Sequence, residues 1–408
     1  MDMVPASRSF SMPILTGLLR RRQSVGDLQS SCSGYSSGWV VDTKVLGLED
    51  LLIVDCDVHV HDPPEALAPF ADMPWRRSME HLGGVKQRYL DIPGYATSLN
   101  IDPPFPNDGV NTRHVTTSTQ MRDELDAMHI DIGVLFPDNL LRMAVFPQTD
   151  YAAALGRAYN AWLAEKWVRC DRRLYGAVLA VPQDPEDAAD QIRKYGAMED
   201  FVGVYLPVAG VRPLWGDRVY DPIYEAASEM RLPVMLHSVG LIHPNFPFNV
   251  DHMTSRMTRH PIQHEFALMA NLFSMIGSGL PARFPELDIV FTEGGISWVP
   301  YVMWRLDKEF AETPADAPML ERPPSSYIKE MYFCTQPIEE PDRPSDLATM
   351  IDLFDGRDHV LFASDWPHHD FDHPRAVMRV PFEAEVKRKI MGETALKLFG
   401  ISRPVTTA

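Results

Sequence analysis

Asp57, His59 and His61 recur at every second position at the end of an apolar run that begins at Leu51. A β-strand turns alternate side chains to the same face, so these three would share one side while Cys56, Val58 and Val60 share the other. Two imidazoles so placed stand about 6.6 Å apart along the strand, at roughly 3.3 Å per residue, which is close enough for them to converge on one cation. A histidine pair can equally cap a strand and bond solvent or backbone, so the pair alone does not assign a ligand role.

Three further residues sharpen the reading. His237 closes the apolar stretch Leu232-Pro233-Val234-Met235-Leu236-His237, and Asp365 closes Val360-Leu361-Phe362-Ala363-Ser364-Asp365. If these stretches are strands of one barrel, His59, His61, His237 and Asp365 lie on one rim, and the last strand lies beside the first. Three imidazoles and a carboxylate form a nitrogen-and-oxygen set suited to zinc, with manganese, iron or cobalt as the other candidates, and they leave a position for water or substrate. Such an ion lowers the pKa of water or polarises a carbonyl, and Asp365 could both ligate and accept a proton. The plainer role for Asp365 is a turn aspartate ahead of Pro367. Glu293 closes a third stretch, Phe291-Thr292-Glu293-Gly294-Gly295. Near a cation it is expected to stay ionised and to act as a base or ligand, its plainer role being a salt-bridged rim carboxylate.

What could hold these residues together is a repeated strand-helix pattern. Short aliphatic runs at 51–61, 130–136, 174–181, 201–208, 233–238, 287–293, 331–335 and 359–365 alternate with helical patterns at 151–170, 185–198, 221–231, 264–276 and 298–310. The alternation predicts a (β/α)8 TIM barrel with its active site at the C-terminal ends of the strands. An open doubly wound sheet would need a Gly-x-Gly-x-x-Gly turn after an early strand, and the chain has none. The stretch 62–119 is too long for an ordinary connection and carries repeated prolines, so it is expected to shape the substrate mouth or to form a dimer arm. Residues 1–45 are Ser-rich and read as a disordered extension, a mis-assigned start or, less in keeping with Asp2 and Asp27, a transit peptide.

A net charge of -18 argues against a nucleic-acid partner, and any anionic substrate must then meet a local positive centre. Four scattered cysteines (Cys32, Cys56, Cys170, Cys334) lack a Cys-x-x-Cys pair, so neither a disulfide framework nor a zinc ribbon is indicated and a cytoplasmic setting is expected. No apolar run approaches the roughly 18 residues of a membrane span.

Over residues 51 to 402 the chain resembles the amidohydrolase-related metal enzymes, which include aminocarboxymuconate semialdehyde decarboxylase and the salicylate- and resorcylate-type decarboxylases. The resemblance rests on Asp57-x-His59-x-His61, on Tyr220-Asp221-Pro222-Ile223-Tyr224-Glu225-Ala226 leading to His237, and on Phe284-Pro285-Glu286-Leu287. Ser364-Asp365-Trp366-Pro367-His368 and Thr394-Ala395-Leu396-Lys397-Leu398-Phe399-Gly400 complete it. It implies one divalent metal ion held by His59, His61, His237 and Asp365. The stretch 201–208 agrees, since it offers no lysine that could be carboxylated to bridge a second ion. One departure matters: family decarboxylases commonly carry a catalytic histidine where this chain has Glu293.

The leading expectation is therefore nonoxidative decarboxylation of a small aromatic or unsaturated acid, with Asp365 and Glu293 handling protons. Hydrolysis of an amide, ester or carbon-carbon bond by metal-activated water is the alternative, favoured by an anionic rim at Glu293. A barrel that binds a small molecule without chemistry comes third, because degenerate scaffolds usually lose their ligands. A homodimer is compatible with this class, and His368 and Trp298 lie near the rim without an assigned contact.

Overall fold

A computed structural model of the chain describes residues 46–82, 115–239, 256–368 and 370–402. The expected extension at 1–45 and the central part of the proline-rich stretch, 83–114, lie outside the described residues.

Eight parallel strands form one sheet in sequence order: β1 (Val54–Val60), β2 (Ile132–Pro137), β3 (Leu174–Leu179), β4 (Phe201–Pro207), β5 (Val234–His237), β6 (Ile289–Thr292), β7 (Tyr332–Cys334) and β8 (Val360–Leu361). All residues of β1 to β6 are buried, as expected for strands covered on both faces. The main helices between and after them are α1 (Ser118–Ala127), α2 (Thr149–Leu163), α3 (Pro185–Gly196), α4 (Asp221–Met230), α5 (Arg256–Gly277), α6 (Val299–Glu312), α7 (Pro344–Leu353) and α8 (Thr394–Leu398). Local sequence sets several of their ends. Asp184 accepts a hydrogen bond from the Asp187 backbone N–H ahead of Pro185, which occupies the first turn of α3 where it forfeits no helical bond.

The sheet closes on itself between its last and first strands. The Cys56 N–H donates to the Phe362 carbonyl (3.0 Å), the Asp365 N–H to the Asp57 carbonyl (3.0 Å) and the His59 N–H to the Trp366 carbonyl (2.8 Å). The buried Asp55 carboxylate ties the same seam by accepting the Ser364 N–H at 2.9 Å and the Asp57 N–H at 3.1 Å. The result is the expected (β/α)8 barrel, with strand β8 shorter than the run 359–365. Beyond Leu361 the segment stays bonded to β1, and at Asp365 its backbone turns into the left-handed region (φ 64°).

Candidate metal centre

Strand β1 aims Asp55, Asp57 and His59 into the barrel, and all three are buried. His237 at the end of β5 and Asp365 beyond β8 reach the same point. One ligand atom from each of Asp57, His59, His237 and Asp365 lies within 4.8 Å of the other three, and every one of these residues is buried. His59 Nε2 is 3.1 Å from Asp57 Oδ1 and 3.0 Å from Asp365 Oδ1, and His237 Nε2 is 3.2 Å from both Asp57 oxygens.

The outer nitrogens of the two rings fix their tautomers. His59 Nδ1–H donates to the Pro137 carbonyl at 2.7 Å, and His237 Nδ1–H to the Ser238 carbonyl at 2.6 Å. Each Nε2 therefore presents a lone pair to carboxylate oxygens, which also carry lone pairs. Acceptors facing acceptors at about 3 Å are repulsive unless a positive charge stands between them, and His59 Nε2 has no hydrogen-bond partner. Two imidazoles oriented by backbone carbonyls together with two carboxylates suit a divalent ion. Where protons fill that role instead, the carboxylates hold them firmly. Burial and His368 pull the His59 pKa down, but Asp57 and Asp365 outweigh them and lift it to about 10. Asp365 is correspondingly held below the usual carboxylate range: burial opposes this, and His368 and His59 override it.

His61 does not join this group. Strand β1 ends at Val60 and the chain leaves the barrel wall, so the His61 ring lies on the rim, its side chain 31% exposed, with Nδ1 3.4 Å from Asp138 Oδ2. In the cluster Asp57 occupies the place expected for His61. It belongs to the same alternating face, four residues before His61 and so deeper in the strand, where His237 of β5 and Asp365 beyond β8 meet it. The remaining expected ligands, His59, His237 and Asp365, do come together.

A second layer holds the donors in place. His368 Nδ1 sits 2.6 Å from Asp365 Oδ1 and its Nε2 3.5 Å from Asp138 Oδ1, while Gln336 donates to Asp365 Oδ2 at 3.3 Å. Glu293, Asp365 and His368 form a second cluster of potential ligands, but these short contacts make His368 a support for Asp365. Asp62 gathers the β2 end by accepting backbone N–H groups of Asp138 (3.1 Å), Asn139 (2.6 Å) and Leu140 (3.2 Å). Phe136 and Tyr205 wall the site, with ring centroids 5.3 and 5.4 Å from that of His237.

Glu293 reaches the site from the end of β6 in a left-handed backbone conformation (φ 57°), uncommon outside glycine and frequent where function fixes geometry. Its Oε2 is 3.3 Å from His237 Nδ1 and its Oε1 3.2 Å from His264 Nδ1. The sequence leads to the expectation of an ionised carboxylate beside a cation. In the metal-free site burial raises its pKa, with Asp365 adding to the rise and His264 and His237 opposing it. His264 was not among the expected site residues, because it falls inside the helical pattern of α5. Its spacing of four from His260, which places the two on one helical face, is the signal that marks it. Trp298 donates its indole N–H to the Gly294 carbonyl (2.8 Å) and so braces the turn behind Glu293.

Comparisons with known proteins follow the same outline. A family model described as Amidohydrolase matches residues 54–401. A γ-resorcylate decarboxylase of Polaromonas sp. (strain JS666 / ATCC BAA-500) is 28% identical over 258 residues, covering 60% of this chain and 76% of its own length. The crystal structure of 5-carboxyvanillate decarboxylase from Sphingomonas paucimobilis superposes with a TM-score of 0.63 at 21% identity, over 86% of this chain and 100% of that one. A dihydroxybenzoic acid decarboxylase structure from Polaromonas sp. JS666, with bound manganese and the inhibitor 2-nitroresorcinol, superposes with a TM-score of 0.58 at 21% identity, over 87% of this chain and 98% of that one.

Proposed function

The chain belongs to the amidohydrolase family, and from that premise we propose that it is a metal-dependent carboxy-lyase acting on a small aromatic carboxylic acid. The observation that carries this is the pair of carbonyl-anchored imidazoles whose Nε2 atoms face two carboxylates in a buried cluster, an arrangement that calls for a cation. Asp57, His59, His237 and Asp365 would hold a single divalent ion. With Asp57 in place of His61 the set becomes two nitrogens and two oxygens, harder than first expected, and so we favour manganese over zinc. The ion would supply positive charge to the oxygens of the bound acid.

The chain's own residues account for the rest. Phe136 and Tyr205 offer aromatic walls for a flat substrate. Asp365, braced by His368 and Gln336, keeps a fixed orientation. Loss of carbon dioxide leaves an electron pair on the ring carbon that must receive a proton. Glu293, raised by burial, stands at the rim where a carboxyl group could exchange it. Support for decarboxylation over hydrolysis comes from the relatives, which are named as decarboxylases of hydroxylated aromatic acids. Residues 46–408 would constitute the catalytic domain. Among the described residues no helix is long and apolar enough to cross a membrane, and we take the cytoplasm as the compartment and a homodimer as the assembly.

The test is a screen of hydroxybenzoates, with γ-resorcylate and 5-carboxyvanillate first, against manganese-loaded protein. Carbon dioxide release that stops with a chelator and returns with manganese supports the proposal. Turnover of amides or esters to an amine or alcohol, with no carbon dioxide from any acid, would replace it with hydrolysis.

A further inference from the structure

Glu293, at the end of β6, is met by an imidazole that a different element contributes. His264, on α5, is 3% exposed, and its Nδ1 is 3.2 Å from Glu293 Oε1. Neither of its ring nitrogens has a well-aligned hydrogen bond, so the two groups are in close contact without a straight bond. The other oxygen, Oε2, also lacks a hydrogen-bond partner and lies 3.3 Å from His237 Nδ1. The Glu293 backbone is in the left-handed region, so the turn delivers the side chain inward at a conformational cost.

We propose that His264 is a positioning residue for Glu293, engaging Oε1 so that Oε2 faces the His237 side of the metal-ligand cluster. The inference rests on the carboxy-lyase reading only for what Glu293 then does; the pairing itself stands on the geometry. Imidazole and carboxylate thus occupy the end of β6 together, one supplied by the strand end and one by the preceding helix. A glutamate alone, with several rotamers open to it, would not be confined to one direction, and a buried carboxylate without a partner carries a heavy desolvation penalty. An imidazole held against it also offsets its negative charge, which answers the objection that an anionic rim would turn away an acid substrate.

The experiment is a double-mutant cycle on the full-length, manganese-loaded protein with γ-resorcylate and 5-carboxyvanillate as probes. His264→Phe keeps ring volume but removes the nitrogens. It is expected to lower kcat by about 10- to 100-fold, the range for losing a residue that orients a site group, with KM changed only a few-fold and full metal content. His264→Asn, whose amide nitrogen can occupy the place of Nδ1, is expected to recover most of the loss. The double variant His264→Phe/Glu293→Gln is expected to be no slower than Glu293→Gln alone, because the two act as a unit. Unchanged kcat in His264→Phe, failure of His264→Asn to rescue, or fully additive losses would overturn the pairing. If neither acid is turned over by the native protein, the carboxy-lyase reading is what has failed for them. The same cycle read in thermal midpoints then decides the pairing alone: non-additive shifts support it and additive shifts overturn it.

Discussion

Two histidines that the sequence treats alike, His61 and His237, are separated by the structure, and paired substitutions measure the separation. His237→Ala removes one of four donors and both 3.2 Å contacts to Asp57. Four-ligand structural zinc sites bind with apparent free energies of about 10–16 kcal/mol, so an equal share per ligand is about 2.5–4 kcal/mol. At about 1.4 kcal/mol per decade, that weakens metal binding by roughly 10²- to 10³-fold. His61→Ala removes a partly exposed ring whose contact with Asp138 is 3.4 Å long. An interaction of that kind, screened by solvent, is worth at most about 1 kcal/mol, or roughly a fivefold change. The assay is metal content after gel filtration, followed by competition with a chelating dye to obtain Kd, with circular dichroism to show that both variants fold. His61→Ala losing metal as completely as His237→Ala would refute the assignment and return His61 to the ligand set.

Replacing Glu293 by glutamine should lower turnover by about 10²-fold, the scale for one general acid or base, while metal content stays full; an unaffected rate would make it a structural carboxyl. Metal affinity should rise with pH. Up to a His59 pKa of about 10 the metal-free protein holds a proton that the ion must displace, so a one-proton exchange gains about tenfold in affinity per pH unit below that value. Calorimetry in buffers of different ionisation enthalpy would reveal the released proton, and a pH-independent Kd would contradict the exchange. Asp62→Ala strips a buried acceptor from three backbone N–H groups at the end of β2. It should cost about 3 kcal/mol in denaturant unfolding with little change in slope, and a loss below about 1 kcal/mol would show that water replaces the carboxylate.

Much of the architecture was legible because a parallel barrel buries both faces of each strand, leaving eight compact aliphatic runs that helical patterns cannot imitate. The errors lie at strand ends. The run through Asp365 reads as strand to its last residue because an apolar run does not show where strand geometry stops, and β8 ends at Leu361. Periodicity put Asp57, His59 and His61 on one face, yet it could not say that β1 ends at Val60, short of His61, or how deep along the strand His237 and Asp365 would meet it. His237 and Asp365 were found because each ends an apolar run. His264 was hidden, since a polar residue within an amphipathic helix looks solvent-facing until the helix is laid against the barrel. Asp138 and Gln336, which position His368 and Asp365, sit in connections with no pattern of their own.

The seam between β8 and β1 would give a bound metal a task beyond chemistry. Asp57 and His59 belong to the opening strand and Asp365 to the segment that returns to it, while the Asp55 carboxylate fastens the two where no cation is needed. An ion gripped from both margins would act as a clasp on the cylinder, and its proposed ligands come together only once the chain's distant parts have met. Loading should slow unfolding as well as enable turnover, and a chain halted before Val360 would lack both the closing stave and one of the four proposed ligands.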